Sequence, residues 1–143
     1  MRCHVATRAS AAATAARGPS LYAIAGRPFY VVEVGVFNTT STAFAVALQR
    51  ATATGTQGAA LTEISEDTDY SPVTTAFNTH TADATITAGE FAQASIGAAV
   101  GAGVIWTFGK NGLKIDPGTT NGVVLTAPTG TGQVFDFYYI WDE

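Results

Sequence analysis

Four carboxylates fall close together, Glu63, Glu66, Asp67 and Asp69 in the stretch LTEISEDTDY, and they are the densest chemistry in the chain. Hard cations such as Ca²⁺ take several oxygen ligands from loops of this kind. The spacing lacks the central glycine and closing glutamate of an EF-hand, so the stretch reads as a solvated acidic loop. Glu63 and Glu66 are also the residue types of a glycosidase pair, which requires two carboxylates flanking a sugar cleft. His80, in NTHTAD, has Asp83 and several threonines nearby in sequence, the components of a base-activated nucleophile. No spacing selects one threonine over another, and His80 reads as a surface histidine. Residues 97–103, GAAVGAG, supply the glycines of a phosphate-binding loop without its lysine and hydroxyl residue. Cys3 is the only cysteine, so neither an intrachain disulfide nor a thiolate metal site can be built. The sequence therefore offers no catalytic residue, no metal site and no cofactor site.

Charge is sparse and unevenly placed. Only 13% of residues are charged, about half the usual share of roughly 25%. Arg2, Arg8, Arg17 and Arg27 all precede the first acid, Glu33, and the net charge is −4. A basic amino-terminal arm, residues 1–18, can dock onto a negatively charged partner, while the acidic remainder argues against a general nucleic-acid-binding face. A surface covered by Thr, Ala, Gly and Ser in place of charge suits a chain buried against other subunits. No run reaches the roughly 18–20 apolar residues that would cross a bilayer. The opening MRCHVATRASAAATAARG shares its composition with an organellar transit peptide, yet folded-looking sequence follows at once from Leu21 to Phe37.

The elements that must position these residues are strands. Residues 103–118, GVIWTFGKNGLKIDPG, read as a β-hairpin: Val104, Trp106 and Phe108 share one face, Gly109-Lys110-Asn111-Gly112 reverses the chain, and Leu113 and Ile115 resume the alternation. The first of these faces is expected to meet an opposing sheet. Upstream, Val5–Arg17 reads as an ordered arm or a first strand, PSLYAIAG as a core strand and FYVVEVGVF as the strongest strand of the first half. In that last run the period of two groups Tyr30, Val32, Val34 and Val36, with Glu33 on the other face at a rim position or salt-bridged to Arg50 or Arg27. Phe44 to Leu48 supplies a partner strand, Thr52–Ala60 a polar exposed loop, and residues 72–82 and 84–96 two more strands. The closing QVFDFYYIWDE is apolar on both faces, which places it mid-sheet or at a subunit interface. The total is eight to ten strands, the pattern of an all-β antiparallel sandwich spanning residues 19–143 behind the arm.

The strand VEVGVFNTT, the run IGAAVGAGVIWTF followed by GLKIDPGT, and the aromatic ending WDE resemble small virion proteins encoded beside the major capsid protein of tailed bacteriophages. The similarity extends from Leu21 to Glu143. It implies a jelly-roll-like β-sandwich that assembles, as a homotrimer, on the outer capsid surface as a decoration or cement protein. Its partners would be the major capsid protein and further copies of itself, with no nucleic acid and no membrane, and it carries over no catalytic residue. On that reading Arg2, Arg8 and Arg17 contact an adjacent capsid or decoration subunit. A tail or capsid-surface adhesin that binds host glycans would use the same sandwich.

Overall fold

Runs of β-branched and aromatic residues fit a pleated, half-buried surface, and the two densest runs in this chain pair with each other. The computed structural model describes all 143 residues and places them in β1 (Arg2–Ala9), β2 (Ser20–Tyr22), β3 (Phe29–Asn38), β4 (Phe44–Ala53), β5 (Ile64–Ser65) and β6 (Thr75–Phe77). The second half holds β7 (Thr85–Ile86), β8 (Ala92–Ile96), β9 (Gly103–Thr107), β10 (Leu113–Ile115), β11 (Gly122–Thr126) and β12 (Phe135–Asp142). One sheet runs β10-β3-β12-β1-β5 with β9 also on β3; the other runs β6-β2-β11-β4-β7 with β8 also on β4. Every pairing is antiparallel.

Two of the edges are single strands in two pieces. β9 lies opposite Phe37–Glu33 and β10 opposite Val31–Phe29, end to end along β3. β7 and β8 lie likewise end to end along β4. Counted as continuous edges, the twelve segments make ten strands; with β5 and β6 set aside, the chain changes sheet after β1, β2, β3, β8, β10 and β11. That order is the double Greek key of a jelly roll, with β5 and β6 added from the long connection that follows β4.

The expected hairpin at 103–118 is therefore absent. Gly109 and Gly112 have φ of 60° and 67°, but the turn they make is a loop that bulges out of one edge strand, and the chain leaves it in its original direction. Both flanking runs already have a better partner in β3, so they need not pair with each other. β3 carries the matching irregularity. Its register against β12 jumps from Ile140–Glu33 to Trp141–Val31, leaving Val32 without a partner. The extra residue inverts the alternation: Phe29, Val31, Val34 and Val36 enter the core, in place of the set Tyr30, Val32, Val34 and Val36.

The amino-terminal arm predicted at 1–18 also takes a different form. β1 pairs along its whole length with β12 and at one end with β5, and Cys3, Val5 and Ala9 are fully or almost fully buried. Alternating apolar side chains bind it into the first sheet more strongly than arginine charge draws it away. The remainder of that segment includes a 3-10 turn at Ala15–Arg17. β12 lies mid-sheet between β3 and β1, with Phe137, Tyr139 and Trp141 in the core beside Leu21, Leu48, Val123 and Leu125 of the second sheet.

Candidate functional site

His80 is not on the surface. Its ring is 3% exposed, and Nε2 lies 2.7 Å from Oγ of Ser20, itself 1% exposed. The connection after β4 places it there: residues 56–61 pair with 76–82 as a two-stranded flap over the outer face of the second sheet. Under the flap, Tyr22, Ala51 and Val124 form a small second core, and the Tyr22 ring lies 6.1 Å from that of His80. Burial pushes the His80 pKa down, opposed by the Thr54 backbone, and its buried Nδ1 has no hydrogen-bond partner. Asp83 does not complete a triad: its carboxylate accepts from Thr14 and from Arg17 Nε, which together hold it below the usual carboxylate range. A serine and histidine sealed this deeply meet no substrate, so the pair fastens the flap.

The acidic stretch disperses in the same way. Glu63 accepts the Ala76 backbone N–H, Glu66 lies 2.7 Å from His4 Nε2, and Asp67 accepts the Asp69 N–H. No three potential metal-ligating side chains converge anywhere in the molecule. Glu33 pairs with neither Arg50 nor Arg27; it accepts the Tyr138 hydroxyl. Arg27 instead donates to the Tyr70 hydroxyl, which donates to Glu143. Cys3 is buried, and that burial pushes its thiol up to about 11, far from a reactive thiolate.

Each arginine expected to reach a neighbour already holds a carboxylate of its own chain. Arg2 pairs with Asp142, Arg8 with Asp136 and Arg17 with Asp83, each at 2.8 Å from Nε. The first two pairs are cross-strand neighbours in the β1–β12 register. Hydrogen bonds from Arg2 and Arg8 hold Asp142 and Asp136 below the normal range.

Two surfaces stand apart from this self-satisfied chemistry. One is the margin formed by β8 and β9, joined by the turn 97–102. Between Glu90 and Lys110 no residue is charged, and Val100 and Ile105 are 74% and 52% exposed. Sheet edges are normally blunted by lysine, proline, bulges or brevity. β5 and β6 on the opposite margin have two and three residues, whereas β8 and β9 have five each without charge or proline, and the bulging loop with Lys110 guards only the far end of β9. The second surface is the outer face of the first sheet, which no flap covers. It holds two shallow concavities, about 500 and 590 Å³, that share Ala6 and Tyr138.

Sequence reasoning missed both surfaces. The uncharged run was legible as a gap between Glu90 and Lys110, but its coincidence with two free edges was not. Gly35 inside FYVVEVGVF was the available signal for the second, since a glycine within a strand marks a close approach. No family model, curated protein or solved structure matches this chain.

Proposed function

We propose that the chain is a structural virion protein that binds the outer surface of a tailed-phage capsid as a decoration or cement protein and associates as a homotrimer. The observation that carries this reading is the unprotected β8–β9 margin. Two adjacent five-residue edges with no charge present unpaired backbone groups and apolar side chains to a partner, and exposure of Ile105 and Val100 to water is relieved only by contact. The opposite margin offers a complementary patch in β5, where Ile64 is 60% exposed. Contact between unlike margins is heterologous, and such contacts close into a ring of three when each subunit is rotated a third of a turn from the last.

Cement action needs only differential binding to the assembled shell, which stabilises it by mass action, and three contacts per trimer add avidity. The sealed Ser20–His80 pair and the divergent acidic residues fit a role without catalysis. The contact is assigned to the β8–β9 margin ahead of Arg2, Arg8 and Arg17, whose charges are already matched.

Light scattering of the purified chain and electron microscopy of the virion test this. The wild type is expected to be a trimer on the outer shell, and Ile105→Lys with Val100→Asp a folded monomer absent from it. A double variant that remains trimeric and retains full occupancy would sink the assignment of the margin, and location inside the shell or in the tail would sink the decoration reading.

A further inference from the structure

We propose that the outer face of the first sheet is a platform for a neutral saccharide chain, adjoining the β8–β9 margin along β9. Its floor is built from two rings and two glycines. Gly35 of β3 sits opposite Tyr138 in the register, and a Cβ there would overlap the Tyr138 ring. Gly103 of β9 sits opposite Phe37, and a Cβ there would overlap that ring as well. Each ring thus lies over a strand that has no side chain beneath it. The two rings are nearly parallel, 26° apart with centroids at 6.3 Å, and form a continuous aromatic surface on an exposed sheet. On the far side of Tyr138, its register partner Ala6 is too small to cover the ring edge, and the 500 Å³ concavity opens there.

The rim is polar and holds one ion pair and one further carboxylate. Arg8 and Asp136 face each other through two hydrogen bonds, leaving Arg8 Nη1 free to donate and the exposed carboxylate free to accept further bonds. The Tyr138 hydroxyl, bound to Glu33, lies at another side of the floor. A flat apolar floor ringed by paired donors and acceptors matches a pyranose, which presents C–H groups on its faces and hydroxyls around its edge. The charges discriminate against a nucleic acid or acidic polymer, which would need unpaired cations where the face offers only the matched Arg8 and the carboxylate of Glu33.

The test titrates ¹⁵N-labelled protein with soluble β-glucan, mannan, galactan and N-acetylglucosamine oligomers, following amide shifts. At least one polymer is expected to move the amides of Ala6, Phe37 and Tyr138 together. Ala6→Glu, at an exposed position, should keep the fold and abolish the shifts. Tyr138→Ala should weaken binding about ten-fold or more, whereas Tyr138→Phe, which keeps the ring and loses the Glu33 bond, should stay within about three-fold of wild type. Failure of every polymer to move these amides overturns the proposal, as does unchanged binding by a folded Ala6→Glu variant. Concentration-dependent shifts of the same amides without sugar would assign the face to a second copy and equally overturn it. Failure to bind any polymer leaves the decoration reading untouched, since location on the shell is read by microscopy; only self-association through this face would bear on both, by moving the contact between copies from the β8–β9 margin to the face.

Discussion

Replacing Glu143 with glutamine should loosen the junction between the last strand and the long connection after β4. The Glu143 carboxylate accepts four hydrogen bonds: Oε1 from Val73 N at 2.7 Å and Tyr70 Oη at 3.0 Å, Oε2 from Thr74 N at 2.9 Å and Trp141 Nε1 at 3.0 Å. Glutamine keeps one acceptor oxygen and turns an NH₂ donor toward the other two donors. One of the abandoned donors is either a backbone N–H or the indole of Trp141, a residue with no exposed surface. A lost bond to a charged acceptor is worth about 1.5–3 kcal/mol and an unsatisfied buried donor about 1–3. These overlap, and the carboxylate is partly solvated, so the expected loss is about 2–4 kcal/mol at neutral pH. Acid should erase the difference. Burial pushes Glu143 up, but the donors from Thr74, Val73 and Trp141 outweigh it and hold its pKa below 4.5. Its contribution is thus fully present above 4.5 and fades as pH falls through the lower folded value. Urea unfolding of both proteins at pH 7, and at the lowest pH where the wild type folds, measures this. A loss under about 0.5 kcal/mol at pH 7, or one that persists undiminished in acid, would refute the hydrogen-bond reasoning.

Two further outcomes follow from burial. Trp141→Ala should cost about 3–5 kcal/mol, because the ring is fully buried between the sheets, while Trp106→Ala, half-buried on an edge, should cost about 1–3; thermal unfolding that reversed this order would contradict the packing. The buried neutral His80 has a folded pKa below its ordinary 6.5, so the unfolded chain binds more protons in that interval and stability should fall as pH drops below 6.5. His80→Gln should flatten that slope between pH 6.5 and 5, and identical slopes in melting temperature would locate the titration elsewhere.

The sandwich was legible because alternation is a local property. β3, β4 and β12 were each visible as period-two runs, and the two-faced apolarity of β12 placed it mid-sheet. What failed was non-local. The glycine turn at 109–112 carries every residue type of a hairpin, yet β9 and β10 both pair with β3, a partner some seventy residues away. The same competition displaced the arm. Val5 and Ala9 were read within an ordered arm or a first strand, and only β12, at the other end of the sequence, supplies the ladder that makes it a strand of the sheet. A one-residue bulge at Val32 is likewise invisible in β3 alone, because it answers to the register of β12.

Charged residues misled for a related reason. Arg2 and Arg8 read as part of a basic arm ahead of an acidic remainder, an asymmetry that invites a partner; antiparallel pairing of β1 with β12 sets them against Asp142 and Asp136 in two cross-strand pairs within one chain. Removing residues 1–18 would accordingly strip Cys3, Val5 and Ala9 from the core, and its effect on assembly would report unfolding. With the arginines of the arm already matched, the surface is left to interact through other features. In this molecule these are a pair of bare edges and a bare aromatic face, and the two differ in kind. An edge offers backbone donors and acceptors in a row, which another polypeptide strand can match. The aromatic face offers flat apolar area with a polar rim, which suits a ligand amphipathic on the scale of a single ring. One chain can therefore hold its place in an assembly by its margin while leaving its broad face open to a different class of ligand.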